Sequence, residues 1–564
     1  MTTRNLLIML LCFLGLMIYL EWQSEFADPV PRPVEPVPGK PDTLQPAAVT
    51  DDLPELPQAA DQAGSTGVPE PERTGELRSA ERIEVETDVI SARIDPVGGV
   101  LSELRLKAYP VDTDHPDEPF VLLSDQFPEL HLAQAGLIDA DRHAPTHRSR
   151  YRYDHALVEL APNEDEVVVP LYWRDDQGLQ VTQRWIFRRG DYVIEHQIEI
   201  ANQGTKPWRG SRYLRLVRTP NQSGGGMAFT NPERISYDGA AVWSAEDGFV
   251  KLPFDEFDSH RYQQMITGGW GGMVQHYFLS AWIPPAEQAH QYSTQYLTGD
   301  HLPRYALAIT SLPVEVAPGA ESRFDARLYA GPKVQNRLAE VAPGLDLTVD
   351  YGIFTVFSKP LFWLLDHIHS LVGNWGLAIV LLTLLIKLAF YRLTRAQFRS
   401  MGKMRKLQPR IQQLKERYGD DRQKFGQAMM EIYKKEKVNP LGGCLPVLVQ
   451  IPIFIALYWV LLESVELRQA SFLWVSDLSR PDPLFILPAI NAVFMIITQR
   501  LTPMVGMDPI QKKVMQTLPV AFAVLFAFFP AGLVLYWATN SGISLLQQWH
   551  ILRQMDAEES RKRG

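Results

Sequence analysis

Residues 376–393 read GLAIVLLTLLIKLAFYRL, an apolar run long enough for a membrane helix and interrupted by one lysine, Lys387. A cation at bilayer depth costs roughly 2.5 to 3.5 kcal/mol on insertion scales, so it normally faces a partner, the interior of a helix bundle or a wet cavity. The other apolar runs, at 6–20, 444–462, 483–501, 518–529 and 533–551, contain no Asp or Glu that would pair with it. The sequence therefore predicts a water-filled recess around Lys387 that receives something negative or polar.

Charge divides the chain into two parts. Residues 21–350 contain 29 Lys and Arg against 51 Asp and Glu, whereas residues 351–564 contain 25 against 14. A chain of 564 residues exceeds one ordinary core, so the split indicates domains in two compartments rather than a nucleic-acid-binding protein. Both cysteines, Cys12 and Cys444, lie in apolar runs, so we expect no disulfide framework in the acidic part.

The N-terminal region is expected to be a membrane anchor followed by a linker. Arg4 precedes the apolar run 6–20 and no small-residue cleavage site follows, which is typical of an uncleaved signal anchor over residues 1–23. Residues 24–80 are dense in Pro, as in PVPRPVEPVPGKP at 29–41, and cannot bury enough apolar surface to fold. We therefore predict a disordered periplasmic linker between the anchor and the next domain.

Alternating strand patterns begin at about residue 82. Examples are IEVETDVISARI at 83–94 and YVIEHQIEIAN at 192–202, and Gly, Asp and Pro turns separate such segments. Short strands over about 260 residues predict a large antiparallel β-sandwich, which we assign to residues 81–345. The remaining residues, 346–564, are expected to form a helical membrane domain.

The helical domain begins with an amphipathic segment at 358–373, where the apolar face and the nearby Trp363 are typical of a helix lying in the bilayer interface. The alternative is a core-facing helix that closes the sandwich. Apolar runs then predict five membrane helices, at about 374–393, 444–462, 483–501, 515–530 and 533–551. Counted from Met515 to Phe529, the fourth covers only about 22 Å at 1.5 Å per residue, so it is expected to thin the bilayer or leave its partner wet.

Positive charge sets the orientation of these helices. Residues 392–437 carry 14 Lys and Arg against five acids, whereas residues 463–482 carry two against four. The first segment is therefore expected on the cytoplasmic side and the second outside. This arrangement places both termini in the cytoplasm and, in a bacterium, the sandwich in the periplasm.

Residues 395–440 predict a cytoplasmic hairpin of two amphipathic helices. Met401, Met404 and Met429 lie on the apolar faces, whereas Arg405 and Lys406 belong to basic faces suited to anionic headgroups or a ribosome. Because unbranched Met adapts to varied apolar partners, we expect the Met-rich face to be a docking surface. The alternative is a charged cytoplasmic loop whose basic residues only set the orientation of the neighbouring membrane helices.

Polar residues within the apolar runs are the candidates for lining the recess. Thr383 lies one turn before Lys387, Gln450 lies in the second predicted helix of the core, and Asn540 lies in the last. Taken singly, each Thr, Ser or Asn more commonly bonds its own helix backbone. Only their combination with the unpaired lysine favours a shared recess. The chain has no P-loop, no HExxH and no clustered Cys and His, so we expect no cofactor, metal or catalytic residue.

Four stretches resemble the YidC family of bacterial membrane protein insertases, relatives of the Oxa-type insertases of mitochondria and chloroplasts. They are LTRAQFRSMGKMRKLQPRIQQLKERYGDD at 393–421, KVNPLGGCLPVLVQIPIF at 437–454, SVELRQASF at 464–472 and FPAGLVLYWATN at 529–540. The resemblance covers the whole chain, in the Gram-negative form with a large periplasmic domain. Lys387 lies where the family usually has Arg, so the charge is kept but the planar bidentate fork is lost.

The resemblance implies a non-enzymatic insertase and chaperone of inner-membrane proteins, working alone or with the Sec translocon, and assigns Thr383, Tyr536 and Trp537 to the substrate groove. It implies as partners nascent membrane proteins, ribosome–nascent chain complexes, the signal recognition particle receptor and anionic phospholipids. It also implies a sandwich of the galactose mutarotase type, without a catalytic His and acid pair. Two rivals stay open: a secondary transporter of an anionic solute, and a membrane-tethered carbohydrate enzyme. Deleting residues 82–340 would abolish the activity of such an enzyme, whereas an insertase would keep most of its activity.

Overall fold

The computed structural model describes residues 82–141, 143–221, 236–257, 259, 261–298, 302–418, 421–436, 445–501 and 509–563. The predicted signal anchor at 1–23 and linker at 24–80 lie outside the described residues. All described strands and helices belong to one compact unit of the chain.

Strands with a period of two occupy the first part of the described chain. In Val193–Asn202, VIEHQIEIAN, every second side chain is buried, because successive side chains of a strand point to opposite faces of the sheet. The described residues form twenty strands: β1 Ile83–Glu86, β2 Ile90–Asp95, β3 Val100–Pro110, β4 Pro119–Leu123, β5 His131–Asp139, β6 Arg152–Tyr153, β7 Leu157–Glu159, β8 Glu166–Arg174, β9 Leu179–Arg188, β10 Val193–Asn202, β11 Trp208–Arg218, β12 Gly239–Ser244, β13 Gly248–Leu252, β14 Gln263–Thr267, β15 Trp270–Val274, β16 Phe278–Ile283, β17 Ala289–Leu297, β18 Arg304–Ser311, β19 Val314–Val316 and β20 Glu321–Pro332.

The strands form two sheets that share a buried core. One sheet has the order β14-β17-β18-β11-β5-β3-β2-β1-β7, with β19 beside β11 and β4 beside β3, and the other has the order β13-β12-β15-β16-β20-β10-β9-β8-β6. Trp185, Trp282 and Tyr292 are among the large side chains of the core that both sheets enclose. Among the described strands, all pairs are antiparallel except β1 with β7. The predicted antiparallel sandwich is thus found in the described strands, except at one edge, where the short strand β7 runs parallel to β1.

Nine α-helices follow within the described residues, and their periodicity replaces the alternation of the strands. They are α1 Gln335–Val341, α2 Thr355–Val372, α3 Trp375–Ala389, α4 Tyr391–Tyr418, α5 Arg422–Lys435, α6 Leu445–Glu463, α7 Ile486–Leu501, α8 Pro509–Phe526 and α9 Ala531–Arg563. Asn374 begins α3 as a side-chain cap, since its Oδ1 accepts from the Leu377 amide at 2.9 Å.

Taken one at a time, the helices of the described residues fall short of the length and hydropathy of a membrane span. α3 and α4 meet both criteria as a pair, bent by 68°. The bend follows Ala389, where Phe390 ends α3 with φ −90° and ψ 8°. The helix predicted at 374–393 therefore ends earlier than expected, at the point where the apolar run gives way to the basic sequence of α4.

The amphipathic helix α2 packs on the helical part of the protein. Its buried residues Phe362, Leu365 and Ile368 belong to the same core as residues of α3 and α6. The Ser358 hydroxyl donates to the Ala456 carbonyl of α6 at 3.1 Å. Trp363 lies on the opposite, exposed side. The helix thus uses one apolar face for packing and presents further apolar side chains to its surroundings.

The last two helices differ from the predicted short pair. α8 begins at Pro509, ahead of the predicted residue 515, and contains Pro519 in its interior. α9 continues for 33 residues, past the predicted end at 551. Its C-terminal half packs closely on α4, because a Cβ added to Gly402 would lie 2.9 Å from the Met555 sulfur.

Candidate functional site

Lys387 lies in the last turn of α3 and faces α9. Only 6% of its surface is exposed, and its Nζ donates to the Ser544 hydroxyl at 2.8 Å. Within the described residues no carboxylate lies at ion-pair distance from this ammonium group, so a hydroxyl is its hydrogen-bond partner. A buried cation held by a neutral group keeps its positive potential for a further ligand.

A line of polar side chains continues from this lysine across three helices. Ser544 Oγ donates to the Asn540 carbonyl of its own helix at 2.7 Å. The Asn540 side-chain oxygen accepts from Gln450 Nε2 at 2.9 Å, which joins α9 to α6. The structure thus brings Lys387, Asn540 and Gln450 into one polar strip, and the water-filled recess stays a prediction.

Thr383 is placed differently from the other candidates. Its side chain is buried, and its hydroxyl donates to the Ile379 carbonyl of α3 at 2.7 Å. This is the backbone bond that Thr commonly makes in an apolar helix, where no water is at hand to satisfy the hydroxyl. Thr383 therefore shares a helix with Lys387, but its hydroxyl is already used within that helix.

Aromatic rings of α9 adjoin the polar strip. Tyr536 is buried and Trp537 is half-buried, and both lie against Phe454 of α6 with ring centroids 6.1 and 4.6 Å away. Phe526 of α8 approaches Trp537 with a centroid separation of 5.2 Å. The indole Nε1 of Trp537 is buried and has no hydrogen-bond partner within the described residues. A buried N–H without an acceptor is costly, so this group is available to donate to a ligand acceptor.

Two polar residues of this region did not stand out in the sequence. Asn491 of α7 is fully buried, and its Oδ1 accepts from the Ser541 hydroxyl at 2.9 Å. Ser544 is the partner of Lys387 described above. Ser544 follows Asn540 by four residues and so lies on the same face of α9. This spacing is the sequence signal by which Ser544 could have been found. In the sequence, Asn491 is a single polar residue inside an apolar run, and no spacing relates it to the other candidates.

The cytoplasmic hairpin predicted at 395–440 corresponds to α4 and α5, whose connecting residues 419 and 420 lie outside the described residues. Leu407, Ile411 and Tyr433 form its small core, and Met404 and Met429 pack against that core. The apolar face predicted for docking is thus partly used by the hairpin itself, because two short amphipathic helices stabilise each other by burying that face. Met401 is half-buried, and Arg405 and Lys406 are exposed.

Across the part of the chain that the structure describes, no group of three His, Cys, Asp or Glu side chains is arranged to hold a metal ion. The site consists of a cation, amides, hydroxyls and aromatic rings, which can bind polar groups through hydrogen bonds and charge.

A two-sheet sandwich is followed by apolar helices, and Lys387 is buried among those helices. This arrangement fits the class of membrane-associated proteins that carry a large extramembrane domain. Residues 82–364 match the family model described as the YidC periplasmic domain, and residues 367–559 match the model described as 60Kd inner membrane protein. The chain belongs to the YidC family of membrane protein insertases, and the predicted resemblance is confirmed. It has the fold of that family, a β-rich periplasmic domain followed by a helical region.

Relatives cover nearly the whole chain. The membrane protein insertase YidC of Nitrosococcus oceani is 44% identical over 98% of this chain and 100% of its own length. The protein of the same name from Alkalilimnicola ehrlichii is 48% identical over 86% of this chain and 85% of its own length.

Solved structures include an active YidC insertase with its first transmembrane domain resolved, at 20% identity and a TM-score of 0.39, covering 83% of this chain and 92% of that one. A galactose mutarotase-like protein from Lactobacillus casei matches 44% of this chain and 99% of its own at 10% identity, with a TM-score of 0.32.

Proposed function

We propose that this chain is an insertase that inserts nascent proteins into the bacterial inner membrane and assists their folding. The observation that carries the proposal is the Lys387 ammonium group, which is almost fully buried and is held by the Ser544 hydroxyl rather than by an acid. Family membership and the names of the relatives support the same activity. No covalent step, nucleotide or cofactor is needed, so we regard the protein as a non-enzymatic insertase.

The polar strip forms the proposed groove. The translocated polar tail of a substrate lies beside Lys387, Asn540 and Gln450, which replace part of the hydration that the tail loses. The apolar segment of the substrate leaves sideways into lipid, and its transfer supplies the driving force. For acidic tails, the membrane potential adds about 2.3 kcal/mol per charge per 100 mV.

The aromatic rings form the proposed contact for the moving chain. Trp537 offers an indole N–H without a partner in the described residues, and Tyr536 and Phe454 supply apolar surface beside it. A substrate backbone carbonyl would satisfy that N–H during passage. Thr383 contributes to this wall through its packing, because its hydroxyl is bound to its own helix.

The hairpin is the proposed delivery site. Arg405 and Lys406 are exposed on α4, where they are suited to ribosomal RNA or anionic phospholipid. Met401, Met404 and Met429 keep some exposed surface for apolar partners. Ribosome–nascent chain complexes, the signal recognition particle receptor and the Sec translocon are the partners we assign to this end of the protein.

We assign the remaining architecture as follows. Residues 1–23 anchor the chain, 24–80 link it to a periplasmic sandwich at 81–345, and 346–564 form a core of five membrane helices with an interfacial helix. Both termini are cytoplasmic. The basic residues of 392–437 and the acidic residues of 463–482 support this orientation.

Site-specific photocrosslinking tests the groove. A crosslinker at Tyr536 or Trp537 is expected to capture a stalled nascent membrane protein, whereas a crosslinker at Val493, exposed on α7, is expected to capture mainly lipid. Equal capture of the nascent chain from all three positions would contradict the groove. Uptake of an anionic solute by vesicles containing only this protein would instead favour a transporter.

A further inference from the structure

A buried ion pair joins the sandwich to the helical region. Lys333 directly follows the last strand, β20, and Glu463 is the last residue of α6. Lys333 Nζ lies 3.4 Å from Glu463 Oε2, and each side chain is only 1% exposed. The partners are 130 residues apart in sequence, so their contact fixes one part of the molecule against the other.

Few other groups satisfy this pair. Glu463 Oε2 also accepts from the Ser236 hydroxyl at 3.1 Å, and Lys333 Nζ also donates to the Thr348 carbonyl at 3.0 Å. The second oxygen of Glu463, Oε1, is buried without a hydrogen-bond partner in the described residues. A carboxylate at the C-terminal end of a helix also opposes the helix dipole. The position of Glu463 is therefore electrostatically unfavourable without Lys333.

Buried ion pairs contribute little to the free energy of folding, because the cost of desolvating two charges offsets most of their attraction. Their better-attested use is to specify one arrangement of packed elements over its neighbours, since only one register brings the charges together. An apolar contact at the same place would allow α6 to slide against the sandwich. The ion pair would not, because sliding would separate the two charges.

Neighbouring contacts join the same two parts. His276 Nε2 bonds the Leu462 carbonyl at 2.9 Å, next to Glu463. In the loop after α6, the Gln469 side-chain amide donates to the Pro110 carbonyl at 2.8 Å, and Arg468 Nη2 donates to the Val111 carbonyl at 2.9 Å. The end of α6 and the loop that follows it are thus attached to the sandwich at several points.

We propose that Lys333 and Glu463 are positioning residues, through which the periplasmic sandwich sets the register of α6 and hence the position of Gln450 in the groove. Gln450 precedes Glu463 by 13 residues on the same helix, a distance of about 20 Å at 1.5 Å per residue. A helix transmits an axial shift over that length, so a shift at Glu463 displaces Gln450 from Asn540. The proposal rests on the insertase function proposed above.

The test uses the full-length protein in membranes. Lys333→Met leaves Glu463 buried without its cation and is expected to reduce the yield of folded protein. The double variant Lys333→Met with Glu463→Leu removes both charges and is expected to fold. Lys359→Met is the matched control, because Lys359 pairs with Asp346 at 2.8 Å on the surface.

Two readouts are measured in the double variant and the control. The first is the register of α6, followed by a short bifunctional thiol reagent that links Gln450→Cys to Asn540→Cys after Cys12 and Cys444 are replaced by Ser. The second is insertion of a model membrane protein, measured without the added cysteines. We expect the double variant to lose at least threefold in linking yield but to keep most of its insertion rate, because an insertase is expected to keep most of its activity even without residues 82–340. We expect the control to match the wild type in both readouts.

Wild-type linking yield and insertion in the folded double variant would overturn the positioning role. A changed insertion rate with unchanged linking yield would overturn it as well, since the register would then be intact. The linking readout does not depend on activity. If the unmodified protein inserts no substrate, the proposed function fails while the register of α6 is still measured.

Discussion

Replacing Lys387 isolates the contribution of its charge to insertion. Lys387→Met keeps most of the side-chain volume and removes the ammonium group that Ser544 holds at 2.8 Å. Lys387→Arg keeps the charge. Because no acid of the described residues pairs with this cation, its loss leaves no carboxylate stranded. The two variants therefore differ mainly in the potential that a substrate tail meets.

The size of the effect follows from the location of the charge. Lys387 is 6% exposed, so a tail carboxylate approaches it in a medium far less polar than bulk water. At a separation of about 6 Å and an effective dielectric constant of about 20, the attraction is about 3 kcal/mol. If that attraction acts in the transition state for tail crossing, its loss slows insertion about 100-fold. A neutral tail lacks this attraction to the Lys387 ammonium group.

The assay is insertion into liposomes, with protection of the tail from external protease as the readout. We expect Lys387→Met to slow insertion of a substrate with an acidic tail about 10- to 100-fold, and Lys387→Arg to stay within a few-fold of the wild type. The same substrate with its tail acids changed to Asn or Gln is expected to respond little. An equal slowing of acidic and neutral tails by Lys387→Met would refute the electrostatic reasoning.

Three further predictions concern stability and delivery. Gly376→Ala is expected to lower the thermal unfolding temperature, because a Cβ there would lie 2.2 Å from the Phe472 ring, whereas Gly426→Ala on α5 meets nothing within 4 Å and is expected to raise it. Burial raises the pKa of Glu466 to about 7, so the stability that its protonated form contributes is complete below about pH 4.5 and is lost as the pH rises through 7. The wild type in detergent is therefore expected to lose stability to unfolding between pH 5 and 8. Glu466→Gln is expected to lack this pH dependence. Met404→Pro is expected to break α4 at a cost of about 3 kcal/mol and to reduce ribosome-dependent insertion, and unchanged crosslinking to nascent chains would contradict the delivery role.

Strands and helices that depend on a local pattern of residues could be predicted from the sequence. Alternation in Val193–Asn202 predicts a strand because each residue of a strand has a fixed face. The apolar run before Lys387 predicts a helix for a similar reason. The bend after Ala389 was not predictable, since no Pro or Gly lies there to mark the end of a helix.

Contacts between distant residues account for the part of the site that the sequence did not reveal. The hydroxyl of Ser544 meets Lys387 across 157 positions of chain, and one serine among many carries no mark of that partnership. Thr383 shows the reverse case. It lies one turn from the cation in sequence, but its hydroxyl bonds the Ile379 carbonyl of its own helix rather than a neighbouring helix. Periodicity tells which face a side chain occupies, and the neighbouring helix decides what that side chain bonds.

The length of α9 has a mechanical consequence. This one rod, Ala531–Arg563, carries Ser544 near its middle and, farther along, meets the hairpin helix at Met555 and through the Arg399–Glu558 bond of 2.9 Å. Eleven residues, or about 16 Å, separate Ser544 from Met555 along this axis, with no loop between them. If the hairpin receives a large cargo as proposed, a displacement of the hairpin would be transmitted along α9 to Ser544, which holds the Lys387 ammonium group.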